Sequence, residues 1–209
     1  MTVSAILPQS VRGVSDPGVT GVILAGGKSA RMGSDKALLR LGGTTFIETL
    51  ARTLGRVVDG VVISAGEPGK YEDTGIPVIP DVRRNCGPLG GIHAALLGIT
   101  TARALVVACD FPLVSAEECA RILAADPGAD VVIGRCAGRL QPLFAVYSKT
   151  TLPVMERRLD EGRYSVRGCL DELNVAIVEL ADRVRMSNIN TPRDYSRLRA
   201  PGTAPAVRT

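Results

Sequence analysis

The chain has 209 residues, 45% hydrophobic and 22% charged with a net charge of only +4, a globular balance that excludes general disorder and suffices for a sizeable core. Its apolar runs fall far short of the roughly 20 residues of a membrane span, and no charged-then-apolar leader opens it, so a cytoplasmic protein without a membrane partner is expected. Five cysteines without a CxxC pair speak against a disulfide scaffold or zinc ribbon, one histidine excludes a polyhistidine site, and 3% aromatics leave little for stacking nucleic-acid bases.

Residues 1–18 carry Pro8 and Pro17 without a sustained period and read as a flexible N-terminal arm. Val19–Leu24 is a buried strand candidate. Phe46, Ile47, Leu50 and Leu54 mark a helix face. Val61–Ser64 and Pro77–Ile79 read as strands, and Leu89, Ile92, Leu96 and Ile99 follow the helical period. Ala104–Cys109 is another buried strand, and Ser115 with Glu118 forms a capping box for a helix through Leu123. Val131–Ile133 and Leu143–Tyr147 read as strands, Leu152–Leu159 and Val166–Leu173 as helices, and Val175–Leu180 as a strand. Thr191-Pro192 is an N-cap followed by proline at the first helical position. Residues 201–209 read as a flexible tail, leaving 19–200 as a single domain. Strands without alternation, separated by crossover helices, predict an α/β, doubly wound, mainly parallel sheet with helices on both faces. In such sheets ligands sit beyond the carboxyl ends of the strands.

Directly after the first strand comes Leu24-Ala25-Gly26-Gly27-Lys28-Ser29-Ala30-Arg31-Met32-Gly33-Ser34-Asp35-Lys36. Paired glycines let a backbone approach a ligand closely, and Arg31 and Lys36 supply charge suited to a polyphosphate. The spacing is neither GxGxxG nor GxxxxGK[ST], so neither a dinucleotide fold nor a P-loop kinase is supported. Asp110 follows the Ala104–Cys109 run and precedes Phe111-Pro112, placing a hard carboxylate at a strand end where it suits Mg2+.

Taken together, LAGGxSxRMGxDK, Asp81 with Gly87-Pro88-Leu89-Gly90-Gly91, Cys109-Asp110-Phe111-Pro112, Gln141–Tyr147 and Asn188-Ile189-Asn190-Thr191-Pro192 resemble the molybdenum cofactor guanylyltransferase family over about residues 19–199. The resemblance implies a Rossmann-like nucleotidyltransferase that moves GMP from GTP to the phosphate of molybdopterin with Mg2+, releasing pyrophosphate. By this likeness Leu24, Ala25, Gly26 and Gly27 contact guanine and ribose, while Arg31 and Lys36 hold the triphosphate. The wording LAGG is that of the guanylyl branch, against LAAG in the cytidylyl branch. Asp110 is the metal carboxylate, and Asn188 or Asn190 supplies a further metal or water contact, Asn190 being the one assigned. Asp81 is expected beside the nucleotide, on the guanine edge, the ribose or the Gly87–Gly91 amides. The chain departs from the family at Ser64, where guanylyl members often carry Asn; a serine offers one oxygen in place of a bidentate amide.

Residues 135–167 hold seven basic side chains against three acidic ones, a surplus of four equal to that of the whole chain. The resemblance places the molybdopterin acceptor against Arg139, Gln141, Ser165 and Arg167. Its phosphate arrives already anionic, so no general base is needed, and the single His93 is expected to be structural or at the rim. Molybdenum-cofactor biosynthesis and chaperone proteins are the implied protein partners, with no nucleic acid. The competing readings are a cytidylyltransferase, a nucleotidyltransferase with another phosphorylated acceptor, and a non-catalytic nucleotide-binding subunit.

Overall fold

The computed structural model of the chain describes residues 18–25, 35–67, 69–181 and 188–199. The expected arm over 1–18, Gly18 apart, and the tail over 201–209 lie outside these residues. The first strand, β1 (Val19–Leu24), is buried along its whole length, as its unbroken apolar run requires of a central strand. A small hairpin follows, β2 (Arg40–Leu41) and β3 (Thr44–Thr45), turning through Gly42 and Gly43 at φ 59° and 88°. Two-residue strands carry no period, so the sequence pattern does not reveal them.

Helix α1 (Phe46–Leu54) starts at a capping box in which Thr45 Oγ1 accepts from the Glu48 amide at 3.2 Å and Glu48 accepts from the Thr45 amide at 2.7 Å. Its expected face, Phe46, Ile47, Leu50 and Leu54, is fully buried. Next come β4 (Gly60–Ala65), β5 (Val78–Pro80), α2 (Gly87–Gly98), β6 (Arg103–Ala108) and α3 (Ala116–Leu123), the last capped by Ser115 and Glu118 as its sequence predicts. The chain continues with β7 (Val131–Cys136), β8 (Arg139–Ser148), α4 (Leu152–Asp160), α5 (Val166–Leu170), β9 (Val175–Leu180) and α6 (Pro192–Arg199). Helix α5 stops at Leu170, three residues before the expected Leu173.

Seven strands form one sheet in the order β5-β4-β1-β6-β8-β7-β9. Strand β8 runs antiparallel to β6 and β7, and the other neighbours are parallel. The β7–β8 hairpin turns through Ala137 and Gly138, both left-handed at φ 51° and 74°, a pairing that matches the twist of the flanking strands. Both strands run longer than their apolar cores suggest, because the ladder continues past a bulge at Ile133/Gly134 into Arg135 and Arg139–Gln141.

Helices cover both faces. A β carbon on Gly21 would lie 3.3 Å from Leu54 of α1, whereas Leu24, on the opposite face of β1, lies against Gly91 of α2. Helix α2 is buried on every side from Leu89 to Leu96, as expected of a helix apolar all round that is sandwiched between the sheet and α4. No helix among the described residues is long and apolar enough to cross a membrane. From β1 the chain builds toward β4 and β5, then returns to place β6 on the other side of β1. This reversal opens a crevice at the carboxyl ends of β1 and β6.

Candidate active site

The crevice begins where the ladder ends. The Cys109 amide donates to the Leu24 carbonyl at 3.0 Å, and the Ala25 amide donates to the Ser64 carbonyl at 2.9 Å, so β1 is tethered on both sides to its last residue. Gly26, Gly27 and Arg31 lie outside the described residues, and Leu24 and Ala25 lead up to them from the core.

Asp110 sits two residues past β6 with its carboxyl largely buried. Its Oδ1 has no hydrogen-bond partner among the described residues. Burial pushes the carboxyl upward from its ordinary pKa, while the Lys36 ammonium pulls the other way. The Asp110 carbonyl accepts from the Ile189 amide at 2.9 Å, which docks the segment before α6 onto this turn. Next to it, Lys36 Nζ donates to Asn190 Oδ1 at 2.8 Å. Three side chains from distant parts of the sequence therefore meet at the switch point: Lys36, Asp110 and Asn190. Asn190 also shapes the local turn, its backbone amide donating to Asp194 Oδ2 at 3.1 Å.

Lys36 opens a short 3-10 turn, Lys36–Leu38, capped by Asp35, whose Oδ1 accepts from the Ala37 amide at 3.1 Å. Asp35 Oδ2 in turn meets Lys70 Nζ at 2.8 Å and the Tyr71 hydroxyl at 2.7 Å. Burial acts to raise the Asp35 pKa, but these hydrogen bonds outweigh it and hold the carboxylate below its ordinary value. Sequence reasoning singles out neither Lys70 nor Tyr71. They lie in a loop without periodicity, and the one available signal was an aromatic residue in a chain with very few.

The opposite wall is built by β4, β5 and α2. The Asp81 amide donates to the Ala65 carbonyl at 3.0 Å, and Asp81 Oδ1 is buried with no hydrogen-bond partner among the described residues. Burial raises its pKa. A β carbon on Gly91 would lie 3.0 Å from Ser64 Oγ, 3.2 Å from Leu24 Cδ2 and 3.6 Å from Asp81 Oδ1, so glycine here lets α2 approach the strand ends. Ser64 is only 1% exposed and its hydroxyl donates to the Gly91 carbonyl at 3.1 Å. It ties α2 to β4, and its donor faces the helix backbone, not the crevice.

At the start of β8, Arg139, Leu140, Gln141, Arg167 and Asn188 line a cavity of about 360 Å³. An adjoining space of about 580 Å³ adds Gly138, Leu170 and Asp171. Arg139, Gln141 and Arg167 are thus brought together by the β8 start and α5. Ser165 is instead the N-cap of α5, accepting from the Gly168 amide at 3.2 Å, and so holds the helix that carries Arg167. The two candidate asparagines separate: Asn188 faces this cavity and Asn190 faces Lys36.

Five of the seven basic side chains in 135–167 are engaged within the structure. Arg135 pairs with Glu179, Arg157 and Arg158 with Glu172, Arg163 with Glu161, and Lys149 donates to the Ile99 carbonyl at 2.6 Å. The expected concentration of charge on the acceptor narrows to Arg139 and Arg167. His93 is buried within α2, 3.6 Å from Glu156 of α4, in agreement with its expected structural role. Cys109, although beside Asp110, has its thiol pushed up to about 12 by burial and by the neighbouring carboxylate, so it offers no thiolate at neutral pH.

Residues 21–176 match the family model described as "MobA-like NTP transferase domain". A probable molybdenum cofactor guanylyltransferase from Pelotomaculum thermopropionicum is 41% identical over 86% of this chain and 91% of its own length. Another from Carboxydothermus hydrogenoformans is 34% identical over 86% of this chain and 94% of its own. Among solved structures, the molybdopterin-guanine dinucleotide biosynthesis protein A from Archaeoglobus fulgidus superposes with a TM-score of 0.71 at 26% identity, covering 86% of this chain and 96% of that one.

Proposed function

The chain belongs to the MobA-like NTP transferase family, among the molybdenum cofactor guanylyltransferases, and from that membership we propose that it transfers GMP from GTP to the phosphate of molybdopterin. The observation that carries this reading is the meeting of Lys36, Asp110 and Asn190 at the switch point, beside a cavity lined by Arg139 and Arg167.

The acceptor phosphate is a monoester and already anionic, so the reaction requires alignment and charge neutralisation, not proton abstraction. A new bond forms between an acceptor oxygen and the α-phosphorus of GTP, the bond from that phosphorus to the β-bridging oxygen breaks, and pyrophosphate leaves. Lys36 and Arg31 hold the triphosphate oxygens. Leu24–Gly27 approach the guanosine, and Asp81, a buried acceptor, takes hydrogen bonds from the base edge or ribose. Arg139 and Arg167 receive the acceptor phosphate, and Gln141, with a donor and an acceptor, matches a pterin edge.

The buried Oδ1 of Asp110, without a hydrogen-bond partner among the described residues, is the kind of hard anionic oxygen Mg2+ prefers. Asp110 would hold the ion, joined by Asn190 when Lys36 turns from the amide to a phosphate. Bound there, Mg2+ would neutralise charge on the triphosphate and on the departing pyrophosphate.

Pyrophosphate release by the purified protein with GTP, Mg2+ and molybdopterin tests the reading, with CTP as comparator. Turnover with GTP and not CTP is expected. Preference for CTP would make the chain a cytidylyltransferase, and silence with both nucleotides would leave a nucleotide-binding subunit.

A further inference from the structure

Outside the residues already assigned, the described structure contains a second polar cluster that no catalytic role absorbs, centred on Tyr71. Its hydroxyl lies 2.7 Å from Asp35 Oδ2 and 3.1 Å from the Ala25 carbonyl. Ala25 and Asp35 are the described residues on either side of the glycine-rich stretch 26–34. One phenol therefore joins the end of β1 to the cap of the turn that carries Lys36. A phenol has a single proton, and the shorter contact to the anionic carboxylate takes the larger share of it.

Several observations indicate that this contact is built and not incidental. Tyr71 is 7% exposed, in a loop where a side chain of its size would ordinarily reach solvent. Its backbone is left-handed at φ 69°, an uncommon state for a non-glycine residue that persists only where surrounding contacts hold it. Lys70 reinforces the same carboxylate, with Nζ 2.8 Å from Asp35 Oδ2 and 4.9 Å from the Tyr71 ring centroid. Asp35 passes the constraint on: its other oxygen caps the Ala37 amide, which sets the start of the Lys36–Leu38 turn and the origin of the lysine side chain.

We propose that Tyr71, assisted by Lys70, is a positioning residue that sets where Lys36 stands relative to the end of β1, acting through Asp35. The proposal rests on Lys36 being the triphosphate ligand of the function given above. Tyr71 touches no reacting atom; it locates the cation that does. A misplacement of the order of 1 Å is enough to weaken such a contact strongly.

Tyr71→Phe keeps the ring and removes the oxygen. It should lower kcat/KM for GTP about ten-fold, the size expected for losing a hydrogen bond to a charged group. Lys70→Met, at a half-exposed position that does not threaten folding, should act in the same direction by about three-fold. The discriminating readout is a double-mutant cycle. In a Lys36→Ala background, Tyr71→Phe should cost less than about two-fold, because the group it positions is gone. A merely structural tyrosine would lower activity by the same factor in both backgrounds, and that result, or an unchanged kcat/KM in the single variant, overturns the proposal. A ligand-free arm separates this from the function itself: hydrogen exchange at the Ala37 amide should quicken about ten-fold in Tyr71→Phe. If the wild-type protein releases no pyrophosphate, guanylyl transfer is refuted, while unaltered Ala37 exchange would still refute the positioning role.

Discussion

Asp110→Asn is expected to make the protein more stable and less active at once. In the absence of metal, the wild-type carboxylate is largely buried, its Oδ1 has no hydrogen-bond partner among the described residues, and burial raises its pKa. Leaving a buried polar group unsatisfied costs about 1–3 kcal/mol, more when it is charged. Lys36 offsets part of this, and the new amide brings donors of its own, so the net gain on neutralisation should be about 1–2 kcal/mol. For a domain of this size that corresponds to a rise in Tm of roughly 2–8 °C. The sign with pH follows from linkage. A native carboxyl with a raised pKa binds more protons than the unfolded chain, so wild-type stability falls as pH rises from the ordinary value of 3.8 to the raised one and is level above it. The advantage of Asp110→Asn should therefore open over that window and persist at neutral pH. Thermal unfolding in chelator, at several pH values, measures it. Added Mg2+ and GTP should then stabilise wild type more than the variant, and turnover should drop on the order of 100-fold or more. A variant less stable than wild type in chelator, or one with undiminished Mg2+-dependent turnover, would refute the assignment of Asp110 as a destabilised, cation-seeking carboxylate.

Other outcomes follow from the same geometry. Lys36→Ala should weaken GTP binding by calorimetry and slow the chemical step as well, since it removes one charge from the triphosphate and releases Asn190. Gly91→Ala places a methyl group 3.0 Å from Ser64 Oγ and 3.2 Å from Leu24 Cδ2, and should destabilise the fold by about 1–3 kcal/mol in denaturant unfolding as α2 is pushed off the strand ends. Arg139→Ala and Arg167→Ala should each raise KM for molybdopterin about ten-fold while leaving the affinity for GTP close to wild type. Equal losses for both substrates would place these arginines elsewhere in the cycle.

Much of the sheet was legible in the sequence because buried parallel strands leave unbroken apolar runs. Val19–Leu24 and Val175–Leu180 coincide with β1 and β9 to the residue, and both capping-box residues of α3 are where the sequence places them. Where apolar continuity fails, so does the reading. The polar halves of β7 and β8 pair across Arg135, Arg139 and Gln141, and nothing in their local pattern marks them as strand. The same limit applied to the site. Lys36, Asp110 and Asn190 stood out as residue types following strands or preceding a cap, but the bond between Lys36 and Asn190 spans 154 positions and has no local signature. Ser64 shows the same limit: the sequence places it at the end of β4, and only packing sets its hydroxyl to donate to the Gly91 carbonyl.

The sequence by itself therefore determined the class of fold, the order of its main strands and helices along the chain, and the side chains proposed for a nucleotide site. Those depend on periodicity, caps and residue chemistry, which act over a few residues. Which of the cations remain available was decided only in three dimensions: of the basic residues in 135–167, Arg139 and Arg167 line the two adjoining cavities, while Arg135, Arg157 and Arg158 are paired with carboxylates brought to them by other elements. The tertiary structure likewise placed Tyr71 against Ala25 and Asp35. The physical reason is common to both: charge pairing and hydrogen bonding depend on distances of a few ångströms between groups far apart in the chain, and only the packed sheet sets those distances.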